Sequence, residues 1–346
     1  MRRGSFLVPA LAAACLAGLL AASQARAEGD YLIAASVNGA PPQVTDVLLL
    51  GPEDEATLYA VDLALERPVE EIAAGREDGA PGDRAGLRWL ELAPEPGEYD
   101  NLAPELAHRP PGYRAAIRYH VLDLDIAGSR LDLADLAWGR DPGTHYLTPD
   151  ILFAGQGLPG GFEDSRPLHL AHAGRVVQVV RRAGDDYLGL LAELLNTPFV
   201  IPPLPTPGGH QTDLRVGSDC AAFATYGRRR LGEDVRYVGP RGIAQYLDPI
   251  GDTWPVAVTR GGRAVFQWRD GTDVAFGPEG VRPGDILHFT VQVSVLFADQ
   301  GELGVLDEED LVFHCYATGP HVARLMDTEF AGRPFRLYRW QGDAAD

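Results

Sequence analysis

The feature that most constrains this chain is a change of pattern near residue 184. Before it, short runs rich in β-branched and aromatic residues, "DYLIAASV", "VTDVLLLG", "TLYAVDLAL", "GLRWLELA" and "YRAAIRYHVLDLDIAG", are separated by Gly, Pro and acidic clusters such as "GPEDE" and "GREDGAPGDRAG". Such runs suit a pleated, half-buried surface, and the clusters between them supply turns. No long 3.6-residue apolar period interrupts them, so residues 28–175 are expected to form a β-rich, sandwich-like domain. After it, "DDYLGLLAELLNTP" sets Leu188, Leu191, Leu194 and Leu195 on one side of a helix, with acids at its start and Pro198 beyond its end. A second domain, residues 176–346, is expected from here. The expectation is an α+β chain of two domains, in keeping with its 346 residues.

Residues 1–27 read as an export signal. Arg2 and Arg3 form a positive start, "FLVPALAAACLAGLLAA" is an apolar run too short for a stable membrane span, and "ARA" before Glu28 has the small-x-small form of a cleavage site. The expectation is an exported, periplasmic protein, processed at Ala27 in preference to lipidation at Cys15. The formal charge is −19, lysine is absent, and three arginines leave with the signal. So acidic a surface repels nucleic acid and anionic membranes, and it leaves any cell-wall contact to a specific cleft. Cys220 and Cys315 then remain, too few for a disulfide scaffold and enough for one bond.

No metal and no cofactor is expected. "DLDIAG" from Asp123 begins like a calcium loop, but Ala127 and Ala134 stand at its fifth and twelfth positions, so the bidentate carboxylate is missing. His169 and His172 in "HLAH" have metal-like spacing without the further ligands of a set.

The stretch "RVGSDCAAFATYGRRRLG" passes from a loop into a helix carrying Phe223, Tyr226 and Leu231 and ending at Gly232. Ser218 and Asp219 are good N-cap residues, which puts Cys220 in the first turn. There, unpaired N–H groups and the positive end of the helix dipole favour a thiolate, and the same N–H groups can hold an oxyanion. The competing reading is a small buried hydrophobe. Downstream, "GVRPGDILHF", "VQVSVLFAD", "DLVFHCYATG" and "PFRLYRW" read as strands of an antiparallel sheet.

A cysteine-bearing helix followed by such a sheet is the papain-like plan. Residues 184–340 resemble the NlpC family of cell-wall cysteine peptidases, through "NTPF", "DCAAF", "RPGDILHF", "VQVSVLFAD" and "LVFHCYATG". The resemblance implies Cys220 as nucleophile and His314 as the group that orients the base, with Asp219 and Phe199 beside the substrate. Gln292 stands at the general-base histidine position, Phe199 replaces a usual tyrosine, and Ala221 and Ala222 replace a Ser-Gly pair. Glutamine cannot take a proton from a thiol, so the preferred assignment makes His314 the base and Gln292 an oxyanion donor, ahead of His288 as a substitute base. His321 is expected to be structural. Strand alternation makes a Cys220–His314 dyad and a Cys220–Cys315 disulfide mutually exclusive. Two functions are implied: hydrolysis of amide bonds in peptidoglycan stem peptides by acyl transfer, or a catalytically impaired module that binds a wall peptide or an envelope protein.

Overall fold

The computed structural model describes residues 31–62, 88–101, 113–114, 117, 119–149, 176–206, 209–251 and 254–343. The export signal, Cys15 and the "HLAH" histidines lie outside the described residues. The chain is mixed α+β and mostly strand. In chain order its first half holds β1 (Tyr31–Val37), β2 (Gln43–Val44), β3 (Val47–Leu50), β4 (Ala56–Asp62), β5 (Arg88–Pro94), β6 (Glu98–Asp100), β7 (Tyr113–Arg114), β8 (Tyr119–Ala127), β9 (Arg130–Asp132), β10 (Gly143–Pro149) and β11 (Val177–Arg181). The second holds α1 (Tyr187–Leu191), β12 (Phe199–Ile201), β13 (Pro205–Thr206), β14 (Gly209–His210), α2 (Cys220–Arg230), α3 (Pro240–Ile243), β15 (Leu247–Pro249), β16 (Val256–Arg260), β17 (Arg263–Gln267), β18 (Ile286–His288), β19 (Val293–Ala298), β20 (Leu311–Tyr316), β21 (Gly319–Arg324) and β22 (Arg336–Trp340).

In the first half, a sheet of order β2-β1-β4-β9 and one of order β3-β11-β10-β5-β8 share a core. Ile33, Leu58 and Leu131 of the former meet Leu48, Trp89, Leu147 and Val179 of the latter. The sequence pattern drew the boundary at 175. Strand β11 lies beyond it, yet it pairs with β10 on one side and β3 on the other. All five of its residues are buried, as a central strand requires. The five-stranded sheet of the first half therefore takes in residues up to Arg181.

The halves are stitched together. Strand β12 runs parallel to β6, Phe199 opposite Glu98 and Ile201 opposite Asp100. Asn101 Nδ2 donates to Pro202 O at 2.8 Å and to Gln211 Oε1 at 2.7 Å. Helix α1 is shorter than the leucine spacing predicts: Asp186 caps it by accepting from Gly189 N at 2.7 Å, and it tightens into a 3-10 turn at Ala192–Leu194. That turn carries Glu193 into the interior. Burial raises its pKa, but Arg230, Arg215 and the Tyr226 hydroxyl outweigh burial and hold the carboxyl below its ordinary range.

The second half is built on an antiparallel sheet of order β15-β22-β18-β19-β20-β21. Helix α2 covers one face, where Phe223 and Tyr226 pack with Ile286, Val293, Val295 and Phe313. The other face presents Leu287, Leu296, Val312 and Leu337 to Phe266 of the β16–β17 hairpin and to Phe330 and Phe335. Asp285, the acid of "RPGD", is 1% exposed and receives Arg339 through 2.9 and 2.8 Å bonds, which ties β18 to β22.

Candidate functional site

Helix α2 starts as its sequence dictates. Asp219 is the N-cap and accepts from Ala222 N at 2.7 Å, the last turn is Arg228–Arg230, and Cys220 is the first helical residue. Leu231, read as part of the helix, is the C-cap and is 43% exposed. Asp219 is itself buried, and burial lifts its carboxyl to about 6 against the pull of the Ala222 and Ala221 N–H groups. The Cys220 thiol is pushed far above its ordinary range, first by burial and then by the Asp219 carboxylate; the N–H groups of Val293 and Ala221 oppose this and lose. Desolvation defeats the helix dipole here.

The side chains facing Cys220 are set by strand alternation. Val295 pairs with Phe313, so continuing the register sets Ser294 opposite His314 and Val293 opposite Cys315. Val293, Val295, Phe313 and Cys315 all belong to the α2-face core. Cys315 Sγ donates to Ser218 O at 3.5 Å and meets Ser218 Oγ at 3.6 Å. Both cysteines are free. Cys315 therefore faces the Cys220 side of the sheet, and His314 does not.

His314 is fully buried in the opposite layer. Its Nδ1 meets Ser294 Oγ at 3.0 Å, its Nε2 meets Glu329 Oε2 at 2.8 Å, and its ring lies 6.1 Å from that of Phe330. Burial holds its pKa below the ordinary histidine range, with Glu329 pulling the other way. Ser294, His314 and Glu329 have the residue types of an acyl-transfer triad, arranged inside out. The hydroxyl is 2% exposed while the carboxylate is 45% exposed, so no substrate carbonyl reaches Oγ. His321, 5.6 Å away ring to ring, bonds Thr318 Oγ1 and Gly319 O, a local turn role.

The remaining candidates are also committed elsewhere. Gln292, just before β19, donates its amide to Cys315 O at 3.0 Å, a tie to strand β20. His288 ends β18 on the α2 face, opposite Val293, with its Nε2 tied to Pro240 O at 2.7 Å and its ring against Tyr338. Phe199 does lie in the Cys220 core, edge-on to Tyr316 at 5.4 Å and bridged through its backbone to Ser218. The structure thus brings together Asp219, Cys220 and Phe199, sets His314 on the opposite face, and engages His288 with Pro240 O.

On the other side of Phe199 a cleft of about 210 Å³ opens where the halves meet, lined by Glu91, Glu95, His145, Asn196, Phe199 and Thr318. Behind Thr318 and Thr197 of the wall, Gly319 adopts φ +84° so near Thr197 that an added Cβ would lie 2.1 Å from its carbonyl oxygen. His145 is held on three sides. Nδ1 contacts Glu91 Oε1 at 2.7 Å, Asn196 Nδ2 contacts Nε2 at 3.1 Å, and Trp138 stacks on the ring at 3.6 Å while donating to Glu91 Oε2. Reading the sequence missed this group, because its members lie far apart in the chain and no local motif joins them. Among the described residues no group of three or more His, Cys, Asp or Glu side chains is arranged to hold a metal ion, and no helix is long and apolar enough to cross a membrane. Compared with known proteins, the chain matches no family model, no curated protein and no solved structure.

Proposed function

We propose that this chain is an exported, NlpC-like module that binds peptide without cleaving it, its second half on the papain-like plan and its first half sandwich-like. One observation carries the reading: the Cys220 thiol is sealed among Asp219, Val293 and Cys315, His314 lies on the opposite face of the sheet, and His288, the imidazole on the thiol's own face, is tied through Nε2 to Pro240 O. Acyl transfer needs a thiolate and a base within hydrogen-bond reach of each other, and this arrangement opposes both. The NlpC resemblance and the packing of α2 on an antiparallel sheet support a shared scaffold. The cleft beside Phe199 is the binding place, and its carboxylates Glu91 and Glu95 favour an amine-bearing wall peptide.

Iodoacetamide at pH 6 tests the sealed thiol. The folded protein is expected to stay unmodified and to react at both cysteines once denatured, whereas labelling of folded Cys220 that His314→Ala suppresses would restore the hydrolase reading. Calorimetry with purified wall muropeptides tests the cleft. Binding without cleavage is expected, and Thr318→Trp, which fills an exposed part of the wall, should abolish it.

A further inference from the structure

The α2-remote layer carries a second surface that nothing so far uses. Strands β16 and β17 form a hairpin closed by Gly261 and Gly262, with Arg260 opposite Arg263. In a two-residue hairpin the closing pair exchanges both hydrogen bonds, so Arg260, Val258 and Val256 point their backbone groups at β17 while Ala257 and Thr259 point theirs away. The far edge of β17 agrees: Phe266 N bonds Leu306 O and Ala264 O accepts from Glu308 N. Strand β16 pairs with β17 alone, and no described backbone group meets its outer edge. An open edge of this kind is a template for another strand.

The edge borders a cavity of about 590 Å³ between the hairpin and the 325–335 segment, walled by Trp254, Ala257, Phe266, Met326 and Phe335. Val256 is 49% and Met326 40% exposed at its mouth. Arg269 and Arg333 line it, and Arg336 stacks on Trp254 at 5.1 Å, against one lining carboxylate, Glu308. The neighbouring Arg260, Arg263 and Arg324 are all in ion pairs. Arg269, Arg333 and Arg336 are in none among the described residues, in a chain with 49 acids to 30 bases.

We infer that β16 is a docking edge for an extended, acidic peptide segment of a protein partner, which adds as a third strand and lays alternate apolar side chains into the adjacent cavity. Main-chain pairing supplies affinity, the cavity selects the apolar side chains, and the unpaired guanidiniums select acids between or beyond them. This goes beyond the wall-peptide cleft and does not depend on it.

Fluorescence anisotropy tests it with a labelled nine-residue peptide alternating leucine and glutamate, its lysine counterpart, and a glutamate peptide N-methylated on the alternate amides that would meet β16. The glutamate peptide should bind saturably; lysine for glutamate, N-methylation, or the pair Arg269→Glu with Arg333→Glu should each weaken it roughly tenfold or more. Thr259→Pro removes an outward N–H and should do the same, and the N-methylated peptide keeps the test valid if that hairpin fails to form. No binding by the glutamate peptide, equal binding of the lysine peptide, or indifference to N-methylation overturns the proposal. So does concentration-dependent dimerisation by sedimentation that Thr259→Pro abolishes, since a second copy would then own the edge. No wall fragment is present, so failure here leaves the reading of the cleft standing.

Discussion

The two faces of the six-stranded sheet hold the same chemical vocabulary in different settings. On the α2 face Cys220 and Cys315 are dry and aliphatic in company, each thiol pushed upward by burial. On the opposite face His314 and Ser294 are equally buried but connect to solvent through Glu329, which is 45% exposed. One position along β20 separates the two fates, because successive side chains leave opposite sides of a strand. Cys220 and His314 make a dyad only if both meet the same face of the sheet, and they do not.

The largest effect expected tests what fixes the α2 face. Glu193→Ala strands Arg215 in the interior and leaves half-buried Arg230 unpaired, and should cost about 3 to 5 kcal/mol in urea unfolding. A loss of under about 1 kcal/mol would show that α2 is placed by packing alone.

Val293→His sharpens the comparison by setting on the thiol's own side a second imidazole, one not already tied to Pro240 O as His288 is. It should destabilise by about 1 to 3 kcal/mol through crowding, yet raise iodoacetamide labelling of folded Cys220 at pH 6. Unchanged labelling would mean that burial, not the lack of a free base, silences the thiol.

On the opposite face, His314→Ala should cost about 1 to 3 kcal/mol and leave Cys220 reactivity untouched. Its folded pKa is depressed, so its contribution is present above the unfolded value near 6.5 and lost as pH falls below it. Melting temperature followed from pH 8 to 5 should fall less steeply in the variant.

The smallest expected effect is at the cap. Asp219 is raised to about 6, so the stability it contributes is full below the unfolded value near 3.9 and lost as pH rises through 6. Asp219→Asn keeps a capping side chain and should flatten that slope, with a gain of about 1 kcal/mol at pH 7. A steeper slope in the variant would place the titration elsewhere.

Much of the framework was legible because its signals are local. The cap at Asp219, the start of α2 and strands β18, β19, β20 and β22 follow from runs and breakers a few residues long. The parity of β20 was not. In "LVFHCY" Val312, Phe313, His314 and Cys315 are all buried, so no polar face marks which side meets the helix. For the same reason "VQVVR" hid its membership of the first sheet, since a strand covered on both sides shows no alternation. The burial of Glu193 has no local signal, because its partners lie 22 and 37 residues away.

The parallel pairing of β12 with β6 also has a temporal meaning. The ties from Asn101 to Pro202 and Gln211 bridge 101 and 110 residues of chain. During synthesis, β6 waits for about 100 further residues, some seconds to tens of seconds at ordinary elongation rates, before its partner strand exists. Loops that long close slowly and leave an edge open in the meantime. The first half thus leaves the ribosome unfinished, and the later segment that carries Phe199 both completes its three-stranded sheet and builds the floor beside Cys220. Nascent-chain order, rather than any boundary between domains, decides when the cleft comes into being.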